Sequence, residues 1–122
     1  MQQSTMRIGD VAERTSLSLR TLRHYDDLGL VSPSARTHGG FRLYTDDDLS
    51  RLMLVRRMKP LGYSLEEMRE LLAVVDAVRA GSDDGAAVRR LEELRVEATG
   101  RRERLAAQVE MADEFLAQLD SV

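Results

Sequence analysis

The sequence predicts a mainly all-α protein in which a winged helix-turn-helix precedes one long helix, and three observations predict it. Two short stretches of helical periodicity, one around Ile8, Val11 and Ala12 and one from Leu19 to Leu28, are separated by a tight break. A turn-rich stretch then leads into the alternating Phe41-Arg42-Leu43-Tyr44, which reads as a strand. From Leu91 to Leu119 apolar residues recur at steps of three and four. These signals divide the 122 residues into a domain at 1–80, a linker at 81–85 and a final helix at 86–122.

From Met6 the apolar positions Ile8, Val11 and Ala12 give a helix of about two turns that Thr15 and Ser16 interrupt. Ser18 is a good N-cap for a second short helix, with Leu19, Leu22 and Leu28 on its apolar side and an end near Gly29. Ser32-Pro33 and His38-Gly39-Gly40 carry turn residues, so residues 34–44 read as a small β-hairpin wing. Thr45 with Asp48 forms a capping box in the broad sense, and Leu49, Leu52, Met53 and Val55 carry a third helix through Met58. Pro60-Leu61-Gly62 ends it. Ser64 with Glu67 repeats the capping device, and Leu65, Met68, Leu71, Leu72 and Val75 extend a fourth helix to about Arg79. Gly81-Ser82-Asp83-Asp84-Gly85 then breaks the chain.

Beyond that break, Leu91, Leu94, Ala98, Leu105, Val109, Ala112, Leu116 and Leu119 form a coiled-coil seam, with one position skipped near Arg101 and Arg102. A helix of this length runs about 50 Å, more than a domain of roughly eighty residues can cover, so the seam calls for a second chain. Gly100 interrupts the run and marks either a kink, a close helix approach or a tolerated glycine.

Composition narrows the function. With 0 Cys there is no disulfide framework, thiolate metal site or cysteine nucleophile, which fits a reducing cytoplasmic setting. No apolar run approaches the roughly 18 residues that cross a bilayer, and the opening Met1-Gln2-Gln3-Ser4-Thr5 lacks the layout of a signal peptide. Aromatic content of 4% with 0 Trp leaves little material for an aromatic ligand pocket or a stacking platform. The net charge of -3 hides a split: residues 1–63 hold 10 Lys+Arg against 7 Asp+Glu, and residues 64–122 hold 8 against 14. A basic front suits phosphates, and an acidic back suits solvent or a protein partner.

The sequence shows no catalytic constellation. His24 and His38 are the two histidines and neither has further ligands at metal spacing, so no metal and no cofactor is expected. His24 beside Asp26 and Asp27 reads as a solvated polar face, Asp46-Asp47-Asp48 as charge favoured at a helix start, and His38-Gly39-Gly40 lacks the lysine and helix of a phosphate loop. What clusters is Arg20, Arg23, His24 and Tyr25 on the second helix with Arg36, Arg42 and Tyr44 around the hairpin. A recognition helix presents its N-terminal residues to base edges, which places Ser18, Arg20 and Thr21 at bases and Arg23 and Tyr25 nearer the backbone. Arg36 and Arg42 on the wing face flanking phosphates. The Tyr25 ring has a second reading, packing against the wing with only its hydroxyl reaching out.

Three segments carry a family resemblance: Arg7-Ile8-Gly9-Asp10-Val11-Ala12, Thr21-Leu22-Arg23-His24-Tyr25-Asp26-Asp27-Leu28-Gly29-Leu30-Val31 and Arg36-Thr37-His38-Gly39-Gly40-Phe41-Arg42-Leu43-Tyr44. Together they resemble the amino-terminal half of the MerR-type transcription regulators, over about residues 6–75, and the final helix fits that family's dimerisation helix. The resemblance implies a homodimer whose final helices form an antiparallel coiled coil and which bends and untwists promoter DNA, with RNA polymerase as a further partner. It implies DNA contacts from Arg20, Arg23 and Tyr25, from Arg36, Phe41, Arg42 and Tyr44, and from Arg56 and Lys59 at the end of the third helix. His24 departs from the aromatic residue common at its position, and stays a candidate because a histidine can bond a phosphate or a base. Metal-sensing members place cysteines near the end of the dimer helix, redox members a cluster and drug-sensing members a further domain; none is in this sequence, so the effector is unidentified.

The expected function is therefore a dimeric, sequence-specific regulator, cytoplasmic and nucleoid-associated. Two other readings use the same domain: an architectural nucleoid protein with low sequence preference, and an excisionase-like accessory factor for recombination, which would be shorter.

Overall fold

The computed structural model describes residues 4–81 and 84–122, and among these lie five α-helices, one 3-10 turn and three short strands. In chain order they are β1 (Thr5–Met6), α1 (Ile8–Thr15), α2 (Leu19–Asp27), β2 (Ala35–Arg36), β3 (Arg42–Thr45), α3 (Asp46–Met58), the 3-10 turn Lys59–Leu61, α4 (Leu65–Ala80) and α5 (Ala86–Asp120). Of the linker expected at 81–85, Ser82 and Asp83 lie outside the described residues, as do residues 1–3 of the expected first domain.

The α1–α2 turn is built on two polar side chains. Thr15 is fully buried, donates its Oγ1 hydrogen to the Val11 carbonyl at 2.7 Å and accepts the Leu17 N–H at 3.3 Å. Ser16 ends α1 in the left-handed region, at φ 59°, and Ser18 caps α2 by accepting the Thr21 N–H at 3.0 Å. At the other end of α2, Gly29 at φ 68° donates to the Asp26 carbonyl and Leu30 donates to the Tyr25 carbonyl, both at 2.9 Å. That pattern is a Schellman motif, and it needs the positive φ that glycine adopts without a Cβ clash. Arg69 of α4 donates to the Leu28 carbonyl and closes the same helix end.

The wing is larger than the hairpin the sequence predicts. β3 is the central strand of a three-stranded antiparallel sheet in the order β1-β3-β2, with Met6 opposite Tyr44 and Arg36 opposite Arg42. Two residues are too short for a period-2 pattern, which is why β1 left no sequence signal.

Asp48, in the first turn of α3, ties this sheet to the helices. It is 2% exposed, and its Oδ2 accepts hydrogen bonds from the Ser34 N–H at 3.0 Å, the Ser34 hydroxyl at 2.7 Å and the Thr45 N–H at 2.9 Å. Its Oδ1 faces Arg51 at 3.2 Å, and its own N–H donates to Thr45 Oγ1, completing the capping box. The Asp46-Asp47-Asp48 run does sit at a helix start, but its third member is a buried anchor for the loop before β2.

The chain divides into two compact units, Met1–Leu72 and Ala73–Val122. The division falls inside α4. The core of the first unit is one cluster including Val11, Leu22, Tyr25, Tyr44, Leu52, Val55 and Met58, which α4 joins through Met68 and Leu72. Leu65 and Leu71 of the same helix pack against that cluster.

The second unit contains α5, continuous over 35 residues. The expected seam is uneven: Leu94 is 6% exposed in the single chain, Leu91 and Ala98 are half-buried, and Leu105, Val109, Ala112, Leu116 and Leu119 are exposed. The helix runs through Gly100 without a break, and a Cβ there would meet nothing nearer than the tip of the Arg104 side chain at 3.5 Å. Gly100→Ala is therefore expected to stabilise the protein by about 1 kcal/mol, the helix-interior difference between the two residues, read from the midpoint of a urea titration. A loss of stability would instead mark Gly100 as a point where a partner helix comes close.

Candidate nucleic-acid interface

One side of α2 along its length and the 3-10 turn after α3 form a concavity of about 540 Å³, walled by Arg20, Thr21, Arg23, His24, Tyr25, Asp27 and Lys59. Helical spacing brings Arg20, Arg23 and His24 to one side of α2, and the end of α3 delivers Lys59 to the same hollow. Three permanent cations face a single carboxylate, so the hollow attracts anions. Tyr25 sits between this hollow and the core. It is 6% exposed, its ring lies 6.3 Å from that of His24, and its hydroxyl has no hydrogen-bond partner within the described residues. A buried hydroxyl left unpaired costs about 1–3 kcal/mol.

Other expected contact residues fall elsewhere. Ser18 is taken up with capping: besides accepting from Thr21 it donates its hydroxyl hydrogen to Thr21 Oγ1 at 2.9 Å. Arg56 is exposed on α3 but is not a wall of the hollow. At the wing tip, Gly40 takes φ 85° and donates to the Thr37 carbonyl at 3.0 Å, while Thr37 Oγ1 accepts the Phe41 N–H at 3.1 Å. This tight turn leaves Phe41 69% exposed, beside an exposed Arg36 whose Nη1 donates to the Gly40 carbonyl at 3.3 Å.

Two of the expected contact residues are engaged within the chain. Tyr44 was expected at the DNA surface, yet it is 2% exposed, because β1 covers the central strand at that register and Met6 pairs with it. Burial pushes its phenol above the ordinary value, and the nearby Asp26 carboxylate adds to the shift, so the ring stays neutral and serves the core. Arg42 was expected to point at phosphates, but both its terminal nitrogens are held by Asp26, Nη1 to Oδ2 at 2.8 Å and Nη2 to Oδ1 at 3.0 Å. Partial burial pushes the Asp26 carboxyl up, but the hydrogen bond from Ser32 and the Arg42 guanidinium outweigh it and hold it below its usual value. A carboxyl lowered in the folded state contributes stability above its unfolded value and loses it as pH falls through the folded one, so the pair persists at neutral pH. Asp26 thus has a partner where a solvated face was expected. A lone Asp on a polar helix face gives no sign of that, since its partner lies sixteen residues away.

Comparison with known proteins decides the family. The model of the MerR HTH family regulatory proteins matches residues 6–74, and that of the MerR DNA-binding region matches residues 49–121. The chain belongs to the MerR family. Among MerR relatives, the HTH-type transcriptional activator TipA of Streptomyces coelicolor is 40% identical over 107 residues, covering 88% of this chain and 40% of TipA. The HTH-type transcriptional regulator ZntR of Escherichia coli K12 is 44% identical over 68 residues, covering 56% of this chain and 48% of ZntR. The chain thus spans less than half the length of these two relatives. Among solved structures, a MerR-family regulator from Bacillus cereus aligns with a TM-score of 0.64 at 30% identity, over 97% of this chain and 79% of that one. HiNmlR, a MerR-family regulator lacking the sensor domain and bound to promoter DNA, aligns with a TM-score of 0.74 at 26% identity, over 94% of this chain and 86% of that one. Among the described residues no helix is long and apolar enough to cross a membrane.

Proposed function

We propose that two copies of this chain bind double-stranded promoter DNA, distort it and thereby regulate transcription. The observation that carries this reading is the hollow on α2, where Arg20, Arg23 and Lys59 face a single carboxylate, that of Asp27. Family membership and the likeness to a promoter-bound regulator support it. In this reading the DNA-binding part lies within residues 1–80 and the pairing helix within 86–122, joined through 81–85, with the two final helices antiparallel. Arg20 and Thr21 read base edges, Arg23, His24, Tyr25 and Lys59 meet phosphates, Arg36 and Phe41 of the wing and Arg56 of α3 extend the contact, and Ser18 fixes the first turn of α2. The protein performs no chemistry and needs no cofactor, works in the cytoplasm on the nucleoid, and meets RNA polymerase at the promoter.

Base contacts set sequence choice and phosphate contacts set affinity, which supplies the test. Preferred sites are first selected from random duplex DNA. Arg20→Ala should then cost about 1–3 kcal/mol on the selected duplex and little on a scrambled one. Lys59→Ala should weaken both and lower the slope of log affinity against log salt by about one unit. No sequence emerging from the selection, or equal losses for both variants on both duplexes, would favour the architectural reading instead.

A further inference from the structure

Asp26 stands where local rules disfavour it. It occupies the last turn of α2, at the negative end of the helix dipole, where a cation would be favoured. On the wing, Arg36 and Arg42 face one another directly across the β2–β3 ladder, and like charges in that arrangement repel. The bidentate pair between Arg42 and Asp26 resolves both conflicts at once, because the carboxylate draws one guanidinium off the ladder and is itself neutralised. Two parallel hydrogen bonds also fix an angle, which a single contact does not. A hydrogen bond with Ser32 also engages the Asp26 carboxylate, and its backbone carbonyl accepts the Gly29 N–H of the Schellman turn, so the residue is tied down at the end of α2.

We propose that the Asp26–Arg42 pair is a latch that sets the position of the wing relative to α2, and that both are positioning residues acting on DNA through Arg36 and Phe41. The inference rests on the DNA-binding reading above. A residue whose charge is already neutralised within the chain adds little to a phosphate contact, whereas a wing held at one angle presents its tip to the duplex without an ordering cost at binding.

The sign of one substitution separates the latch from a direct contact. If Arg42 met phosphate, Asp26→Asn would remove a negative charge beside the DNA, free a cation and tighten binding. The latch requires the opposite: Asp26→Asn and Arg42→Ala should each lower affinity for the selected duplex about tenfold, with the salt slope unchanged and the double variant no weaker than either single one. The exchange Asp26→Arg with Arg42→Asp should regain most of the loss. Tighter binding by Asp26→Asn, or a slope reduced by about one in Arg42→Ala alone, would overturn the proposal. Hydrogen exchange without DNA gives a readout independent of the DNA-binding reading. Wing amides, Thr37 and Phe41 among them, should exchange about tenfold faster in Asp26→Asn while those of α1 keep their rates. Unchanged wing exchange would sink the latch even if DNA binding holds, and a protein that binds no DNA yet shows the faster wing would sink the DNA reading alone.

Discussion

Leu105→Glu is expected to convert the protein to monomers and to lower its affinity for a two-half-site operator at least a hundredfold. The reason lies in the uneven burial along α5. Leu94 is covered by its own chain, but Leu105 is 39% exposed, and Val109, Leu116 and Leu119 are each more than half exposed. Full burial of such a side chain yields about 1.5–3 kcal/mol, so covering the exposed halves of four from each of two copies contributes about 6–12 kcal/mol, the size of the association cost of about 4–15 kcal/mol. A glutamate at position 105 places a charge within that surface, and it must either stay in water or be buried unpaired. Loss of the pair then separates two DNA-binding units whose linkage is worth about 10²–10⁴ in avidity. Sedimentation velocity at micromolar concentration and operator titration give the two numbers. Leu94→Glu is the informative contrast: it should unfold the second unit rather than release an intact monomer. A wild-type protein that sediments as a monomer, or a Leu105→Glu protein that stays dimeric, would refute the paired-helix reading.

That contrast also marks how far the sequence could be read. The seam was legible as one periodic stripe, because spacing alone says which residues share a helix face. It could not say where along the stripe the chain covers itself, since that depends on tertiary neighbours. The helix-turn-helix was legible from Ser18, the two apolar stripes and Gly29, each a local signal with a local consequence. β1 was not, for two residues carry no period, and missing it placed Tyr44 outside when the added strand puts it inside. The cluster of Arg20, Arg23, His24 and Tyr25 was legible because one helix carries it, and the structure adds Lys59 to the same hollow. The Asp26–Arg42 pair and the full role of Asp48 were hidden for a shared reason. Both join residues more than a dozen positions apart, and charge on an exposed helix face looks the same with or without a partner.

Asp48→Ala is expected to destabilise the first unit by about 3 kcal/mol, the largest effect of any polar substitution in it. The carboxylate satisfies two backbone donors, Ser34 N–H and Thr45 N–H, together with the Ser34 hydroxyl, and it faces the Arg51 guanidinium. Alanine leaves that set without its acceptor in a site only 2% exposed, where each unmatched donor costs about 1–3 kcal/mol and water can restore only part. The Thr45 N–H bond among these is also the Asp48 half of the capping box that starts α3. For a unit of this size 3 kcal/mol corresponds to a fall of roughly 15 °C in the midpoint of thermal unfolding. Asp48→Asn should fall between, because its single amide oxygen keeps one acceptor while its NH₂ meets donors. The wing should suffer first: Ser34 lies just before β2, so wing amides should lose exchange protection at denaturant concentrations where those of α1 and α2 are still protected. A midpoint lowered by less than about 5 °C, or uniform loss of protection across the unit, would show that Asp48 is an ordinary helix cap and that the wing is anchored elsewhere.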